Sequence, residues 1–252
     1  MPSAPPNVLA FAASDPTGGA GIQADVLTLA GLGCHPLTVL TALTVQDTHG
    51  VQRLQAVDAG LVADQARCLL AELPVAAFKL GVLGSAANAA VVADMLGARA
   101  RVPVVLDPVL ASGRGDALAD GALLEALLEA LRTRLTPLAT VITPNSLEAR
   151  ALGGVDALLA LGCRYVLVTG THADTPEVVN TLHDARGVVR EDRWPRLNAS
   201  YHGSGCTLAS AIAARLALGD AVPEAVRAAQ AYTWRALERG FKPGSGQHFP
   251  RR

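Results

Sequence analysis

The residues best suited to chemistry in this chain are His202-Gly203-Ser204-Gly205-Cys206-Thr207, followed at once by Leu208-Ala209-Ser210-Ala211-Ile212-Ala213-Ala214. The second run consists of helix formers with an apolar face, so the first opens a helix. The leading amides of such a helix have no partner within it and carry partial positive charge. Glycines there remove side-chain bulk and let an anion approach bare N–H groups. The same stretch also reads as an ordinary helix start with a small-residue cap, and taken alone it does not decide between the two. Cys206 stands at the helix N-terminus, where a thiolate is favoured. Cys34, Cys68 and Cys163 read as inert buried thiols.

Other reactive side chains fall just after apolar runs. Asp15, Thr17, Gly18, Gly19 and Gly21 follow the first, with Gln23 and Asp25 in the helix beyond. Gln46-Asp47-Thr48-His49-Gly50 follows the second, and Asp107 with Ser112-Gly113-Arg114-Gly115-Asp116 a later one. Asn145 and Glu148 follow the next, and Thr169-Gly170-Thr171-His172 the last. Each has a plainer role beside the chemical one. Gly18 to Gly21 can be a simple strand-to-helix turn or a substrate lid. Asn145 and Glu148 have the spacing of a helix-capping pair, which does not exclude a second duty. Asp107 beside Pro108 can serve only to shape a turn, and His49, His172 and His202 can be loop residues or catalysts.

The elements that must position these groups alternate. Strands are predicted at Val8–Ser14, Leu37–Val45, Ala76–Leu83, Val102–Val109, Thr140–Thr143 and Tyr165–Thr169. Helices are predicted between them at Ala20–Leu32, Asp58–Leu73, Ala86–Leu96 and Leu118–Leu135. Strands separated by helices of this length form βαβ units, hence an α/β fold with a mainly parallel sheet covered on both faces. A small β-hairpin excursion follows over Val179–Arg190, turning at Asp184–Gly187, and the glycine-led helix and Pro223–Glu238 close the chain. No linker divides it, so residues 1–252 are read as one domain. In a sheet of this kind ligands bind at the carboxyl ends of the strands, which is where the polar clusters fall.

The 252 residues are half hydrophobic and only 17% charged, enough for a sizeable core. A net charge of −1 without runs of one sign argues against nucleic-acid or membrane-surface partners. Only Lys79 and Lys242 are lysines, so a cationic clamp would be an arginine. The first basic residue is Arg53, and the four cysteines show no CxxC pairing; a reduced, cytoplasmic protein is the expectation. A P-loop motif is absent. Gly203-Ser204-Gly205 has Leu208 where a dinucleotide fingerprint would place its third glycine.

Ala13-Ser14-Asp15 with Gly18 through Asp25, Thr41-Ala42-Leu43 with Gln46, Thr48 and Gly50, and Lys79 through Leu83 recur in family order. Leu106 through Val109, Thr143-Pro144-Asn145 with Glu148-Ala149, and His202 through Thr207 complete the series. On these motifs the chain resembles the hydroxymethylpyrimidine/phosphomethylpyrimidine kinases of thiamine biosynthesis, within the ribokinase-like superfamily. The resemblance implies transfer of phosphate from ATP, with Mg2+, to a substituted pyrimidine. It implies that Asp25, Gln46, Val82 and Gly19 bind the pyrimidine and that Gly203, Ser204, Gly205 and Cys206 form the catalytic anion hole. It further implies that Asp107, Asn145, Glu148 and Thr169 face ATP and magnesium, the metal being held by Asn145 and Glu148 through water. It also implies a homodimer. Where many members carry Lys-Gly-Gly-His after the sixth strand, this chain has Thr169-Gly170-Thr171-His172 and no lysine, and the segment from Glu148 to Gly162 is short. A pyridoxal kinase and a non-catalytic metabolite-binding regulator are the competing readings.

Overall fold

The computed structural model describes residues 4–110, 121–171 and 175–252. Ser112–Asp116, His172 and the first residues of the helix expected from Leu118 lie outside them. The centre is a parallel sheet: β1 (Asn7–Ser14) lies between β2 (His35–Gln46) and β4 (Ala77–Leu80), followed by β5 (Val104–Leu106), β6 (Val141–Ile142) and β7 (Tyr165–Val168). Alternation within β1 explains how one strand serves two cores. Leu9 and Phe11 face a cluster with helices α2 (Ala59–Glu72) and α3 (Ala86–Gly97). Val8, Ala10 and Ala12 face α1 (Gly21–Gly31), α7 (Ser204–Ala217) and α8 (Val222–Glu238) on the other side. Six residues from Ala209 through Ala214 are buried, and all but Ile212 have small side chains that let α7 lie close against the sheet.

Three strands are antiparallel and widen the sheet beyond the sequence reading. β3 (Val51–Ala56) returns along β2, and was not anticipated because its run is short and polar. The expected hairpin is present and also joins the sheet: β8 (Glu177–Asp184) pairs with β7 along Val166–Val168, and β9 (Gly187–Pro195) pairs with β8, so it completes a nine-stranded sheet in the order β3-β2-β1-β4-β5-β6-β7-β8-β9. The helix expected to reach Leu135 is α4 (Gly121–Ala130), continued by a π-helical turn, Leu131–Leu135, and a 3-10 turn, Thr136–Leu138. The short segment after Asn145 holds α5 (Ser146–Ala151) and α6 (Val155–Ala160), interrupted at Gly153-Gly154. Among the described residues no helix is long and apolar enough to cross a membrane.

Candidate active site

A cavity of about 530 Å³ opens at the carboxyl ends of β1, β4, β5, β6 and β7, and extends along β9 to α8. Its floor is the start of α7. Gly203 caps this helix at φ +79°, and a Cβ there would lie 1.9 Å from the Gly19 carbonyl oxygen, so only glycine brings the two loops together. No side chain caps the helix, which leaves its leading amides facing the cavity beside Ser204, Gly205 and Cys206.

The loop after β1 is organised by Asp15. Its Oδ1 accepts from the Thr17 amide and hydroxyl, both at 2.8 Å, and its Oδ2 accepts from the Ala20 amide at 2.7 Å. His202 Nε2 lies 2.8 Å from the same Oδ2, which ties the loop to the residue preceding the cap. Burial would raise the Asp15 carboxyl, but hydrogen bonds from His202, Gln46 and Thr17 outweigh it and hold the group well below the usual carboxylate range. Gln46 thus lines the cavity while touching Asp15. Val82 lines it too, with its carbonyl fixed by the Thr41 hydroxyl at 2.6 Å.

Beneath the floor lies an ion pair. Lys79 and Asp25 are both fully buried, the ammonium 2.8 and 2.9 Å from the two carboxylate oxygens, and Ser210 donates to Oδ1 at 2.7 Å. The Asp25 side chain, expected to bind the pyrimidine, supports the floor from below and is not among the residues lining the cavity. Gly19, also expected at the pyrimidine, stands beside the floor. It packs against His202 and Phe249, where a Cβ would lie 2.6 Å from each ring, and it too is behind the cavity wall.

Cys206 departs from the thiolate expected at a helix start. It is partly open to the cavity, yet burial pushes its thiol up to about 11, with Asp25 and Asp107 adding to the rise and Lys79 opposing it. At neutral pH the group is S–H, a donor. Burial acts the same way on Cys163, lifting it to about 12, whereas Cys68 is exposed rather than buried because it lies on the outer face of α2.

Two carboxylates face the floor. Asp107 Oδ2 is buried with no hydrogen-bond partner, and a Cβ on Gly205 would be 3.6 Å from it. Burial raises Asp107 to about 6, Lys79 pulling it down and Asp25 pushing it up. Burial, with the charge of Asp107, raises Glu148 to about 7. Asn145 and Glu148 do form a capping box: Asn145 Oδ1 accepts from the amides of Leu147 and Glu148 at 2.8 and 3.0 Å, and Glu148 Oε2 accepts from the Asn145 amide at 2.9 Å. Both also line the cavity, so the box fixes the site's carboxylate as well as the helix. Thr169 lines it beside Asn145, with which it forms an isolated bridge.

The far wall was missed in the sequence. Trp194 and Trp234 stack with centroids 6.2 Å apart at 27°, and Gln230 Oε1 accepts from Trp194 Nε1 at 3.0 Å and from Asn180 Nδ2 at 2.8 Å. Asn180 Oδ1 in turn accepts from the Gly170 amide, joining this wall to the loop after β7. The signal available was that these are the chain's two tryptophans. Lys79, a charge inside an otherwise apolar strand, was likewise a sign of a buried pair. His49 stands away from the cavity, bonded to Ser245.

The sequence profile described as Phosphomethylpyrimidine kinase matches residues 15–251. The chain belongs to that family. A hydroxymethylpyrimidine/phosphomethylpyrimidine kinase of Streptomyces coelicolor is 44% identical, over 97% of this chain and 93% of its own length. One from Mycobacterium tuberculosis is 40% identical, over 96% and 92%. The fold is shared with Bacillus subtilis pyridoxal kinase in complex with ADP, at a TM-score of 0.88 and 30% identity over 97% of this chain and 96% of that one. It is shared also with phosphomethylpyrimidine kinase from Clostridium difficile, at a TM-score of 0.78 and 32% identity over 92% and 99%. Membership explains the coexistence of a polar pocket and an unobstructed helix start in one cavity: a phosphotransferase needs its acceptor and its phosphoryl group side by side.

Proposed function

We propose that this phosphotransferase moves the γ-phosphoryl group of ATP to the hydroxymethyl oxygen of an aminopyrimidine, or to the phosphate of its monophosphate, at the α7 end of the cavity. The observation that carries the reading is the uncapped start of α7, with Cys206 in its first turn, between the Gln46 pocket and the tryptophan wall. A carboxamide supplies both a donor and an acceptor, which an aminopyrimidine edge requires, and Asp15 orients that carboxamide. The α7 amides face the oxygens on which negative charge grows during transfer, and the Cys206 S–H adds one donor there.

Magnesium fits the residues present. Asp107, Glu148 and Asn145 offer the hard oxygen donors it prefers, and the unpartnered buried Oδ2 of Asp107 marks a position where a cation would offset charge. No cluster of three metal-ligating side chains occurs among the described residues, as expected for an ion held mostly by water and phosphate with one or two carboxylates. Asn145 and Glu148, through water, with Asp107 beside them, would hold it, and when bound it would neutralise charge on the phosphates. The tryptophan wall offers a flat apolar face to the nucleotide base. A homodimeric assembly and a cytoplasmic location complete the proposal; sedimentation and fractionation of the native protein measure them.

A vitamin B6 kinase is the second reading, favoured by the likeness to pyridoxal kinase. ADP release measured separately with hydroxymethylpyrimidine, its monophosphate and pyridoxal decides between them. A higher kcat/KM for pyridoxal than for either pyrimidine would overturn the first reading. Absence of ADP release with all three would support the non-catalytic regulator.

A further inference from the structure

From the contacts at the back of the α7 start, we infer that Arg252 is a positioning residue for phosphoryl transfer, one guanidinium holding the substrate loop and the anion-binding helix start in register. Arg252 Nε donates to Thr207 Oγ1 at 2.9 Å. Its Nη2 donates to the Gly19 carbonyl at 2.5 Å and lies 3.4 Å from the Gly203 carbonyl. Those three acceptors belong to the loop after β1, the cap of α7 and the first turn of α7.

The Gly203 carbonyl also accepts from the Thr207 amide at 3.0 Å and from the Thr207 hydroxyl at 2.7 Å, so Arg252 and Thr207 together fix the orientation of the capping peptide. The peptides that follow present the amides facing the cavity. A fork with several N–H donors in one plane can span these acceptors at once; an ammonium at the end of a flexible stem cannot. The charge matters as well as the geometry. Arg252 is half-buried, and the carboxylates of Asp25 and Asp15 are close enough for their charges to couple with its own. It places a fixed positive charge behind an anion site.

The segment that delivers Arg252 is itself fastened to the stretch before α7 and to the loop after β2. The His202 amide donates to the His248 carbonyl at 2.9 Å, the His248 amide to Ser200 at 2.9 Å, and the Gln247 amide to Thr48 at 2.9 Å. The Phe249 ring packs on His202 with centroids 5.7 Å apart. Removal of the guanidinium therefore leaves the segment anchored and isolates its effect on Gly19 and Gly203.

The inference rests on reading the α7 start as the phosphoryl site. The test uses the full chain with ATP and hydroxymethylpyrimidine, comparing Arg252→Ala and Arg252→Lys with the parent. Displacing reacting groups by a fraction of an ångström slows catalysis steeply, so Arg252→Ala is expected to lose at least about tenfold in kcat. KM for the pyrimidine should change by less than about twofold, because Gln46 is untouched. Millimolar guanidinium chloride should restore part of the rate in Arg252→Ala and none in the parent. A folded Arg252→Ala with parental kcat overturns the inference, as does a loss of rate that matches loss of folded protein and is not rescued. Full activity in Arg252→Lys overturns the role of the fork and leaves only charge. Gly205→Val in the same assay tests the reading beneath it: retained activity there removes the phosphoryl site itself, whereas parental activity in Arg252→Ala alone removes only Arg252.

Discussion

Replacement of Lys79 by methionine tests the buried pair under the catalytic floor. The lysine and Asp25 are both wholly buried, and Lys79 contacts both carboxylate oxygens at 2.8 and 2.9 Å. Methionine fills similar space and leaves Asp25 with Ser210 as a remaining donor. Stranding one charge of a buried pair costs ~3–5 kcal/mol. That is a large share of the ~5–15 kcal/mol by which domains are stable. For a chain of this length it corresponds to a fall in Tm of roughly 6–20 °C. Replacing both partners, Lys79→Met with Asp25→Leu, removes the stranded charge and should recover most of the loss, since apolar substitutes for whole buried pairs are often neutral. Urea melts followed by circular dichroism at neutral pH, with a check for two-state behaviour, supply the numbers. A Lys79→Met protein within about 1 kcal/mol of the parent would refute the reasoning, because an uncompensated charge could not be so cheap. Lys79 also pulls the Asp107 carboxyl down, so in any folded Lys79→Met protein the acid limb of the kcat profile should move to higher pH.

Four further outcomes are expected. Gln46→Leu leaves ring donors and acceptors unpaired, at ~1–3 kcal/mol per group, so KM for the pyrimidine rises while that for ATP holds; an unchanged pyrimidine KM removes Gln46 from the pocket. Glu148→Gln keeps a capping residue that can still accept from the Asn145 amide, so it should melt like the parent yet require more magnesium for half-maximal rate, and an identical magnesium titration would leave the pair as a helix cap alone. Cys206→Ala removes one donor from the anion site and should cost about a hundredfold in kcat with nucleotide binding preserved; retention of a tenth or more of turnover would make the thiol a bystander. For Asp15, the folded carboxyl titrates below its unfolded value near ~3.9, so its contribution is present above that pH and is lost as pH falls through the folded value. The stability gap between parent and Asp15→Asn should therefore be full at neutral pH and shrink in acid melts below about pH 4, and a gap independent of pH would refute the assignment.

Alternating apolar runs and helix-length spacers made the central parallel strands legible, because burial on both faces leaves a near-continuous apolar signature in each strand. The same physics hid β3, whose side chains at Gln52, Arg53 and Gln55 are exposed and carry little apolar pattern. The hairpin of β8 and β9 was legible as a hairpin but not as part of the sheet, since pairing between β7 and β8 is a backbone event with no signature in either strand alone. At the site, Asp107, Asn145, Glu148, Thr169, Gln46, Val82 and the α7 start were named in advance, and all line the cavity. Asp25 and Gly19 were named but stand behind its wall, a distinction of one layer that spacing along a helix or loop does not encode. The protonation of Cys206 also escaped notice, because a helix start favours the thiolate while burial beside Asp25 and Asp107 disfavours it, and only the folded surroundings reveal which wins. Arg252 lies 45 residues from Thr207 and 233 from Gly19, too far for any local pattern to join them.

The sheet ends in two antiparallel strands, and both present poor templates for another chain. β3 turns Gln52, Arg53 and Gln55 outward. Along β9, Arg190 pairs with Asp192 and Arg193 with Glu191, so charges of both signs line the outermost strand. An incoming strand would have to bury them against the edge. The parallel strands within, which could recruit neighbours strongly if uncovered, are thus flanked by strands that repel edge-to-edge growth. Glu191→Val with Arg193→Val would give one face of β9 an uncharged row with Val189, and the chain would then be expected to form fibrils during slow refolding while the α7 floor, packed on β1, β4 and β5 with three strands between it and β9, stayed intact.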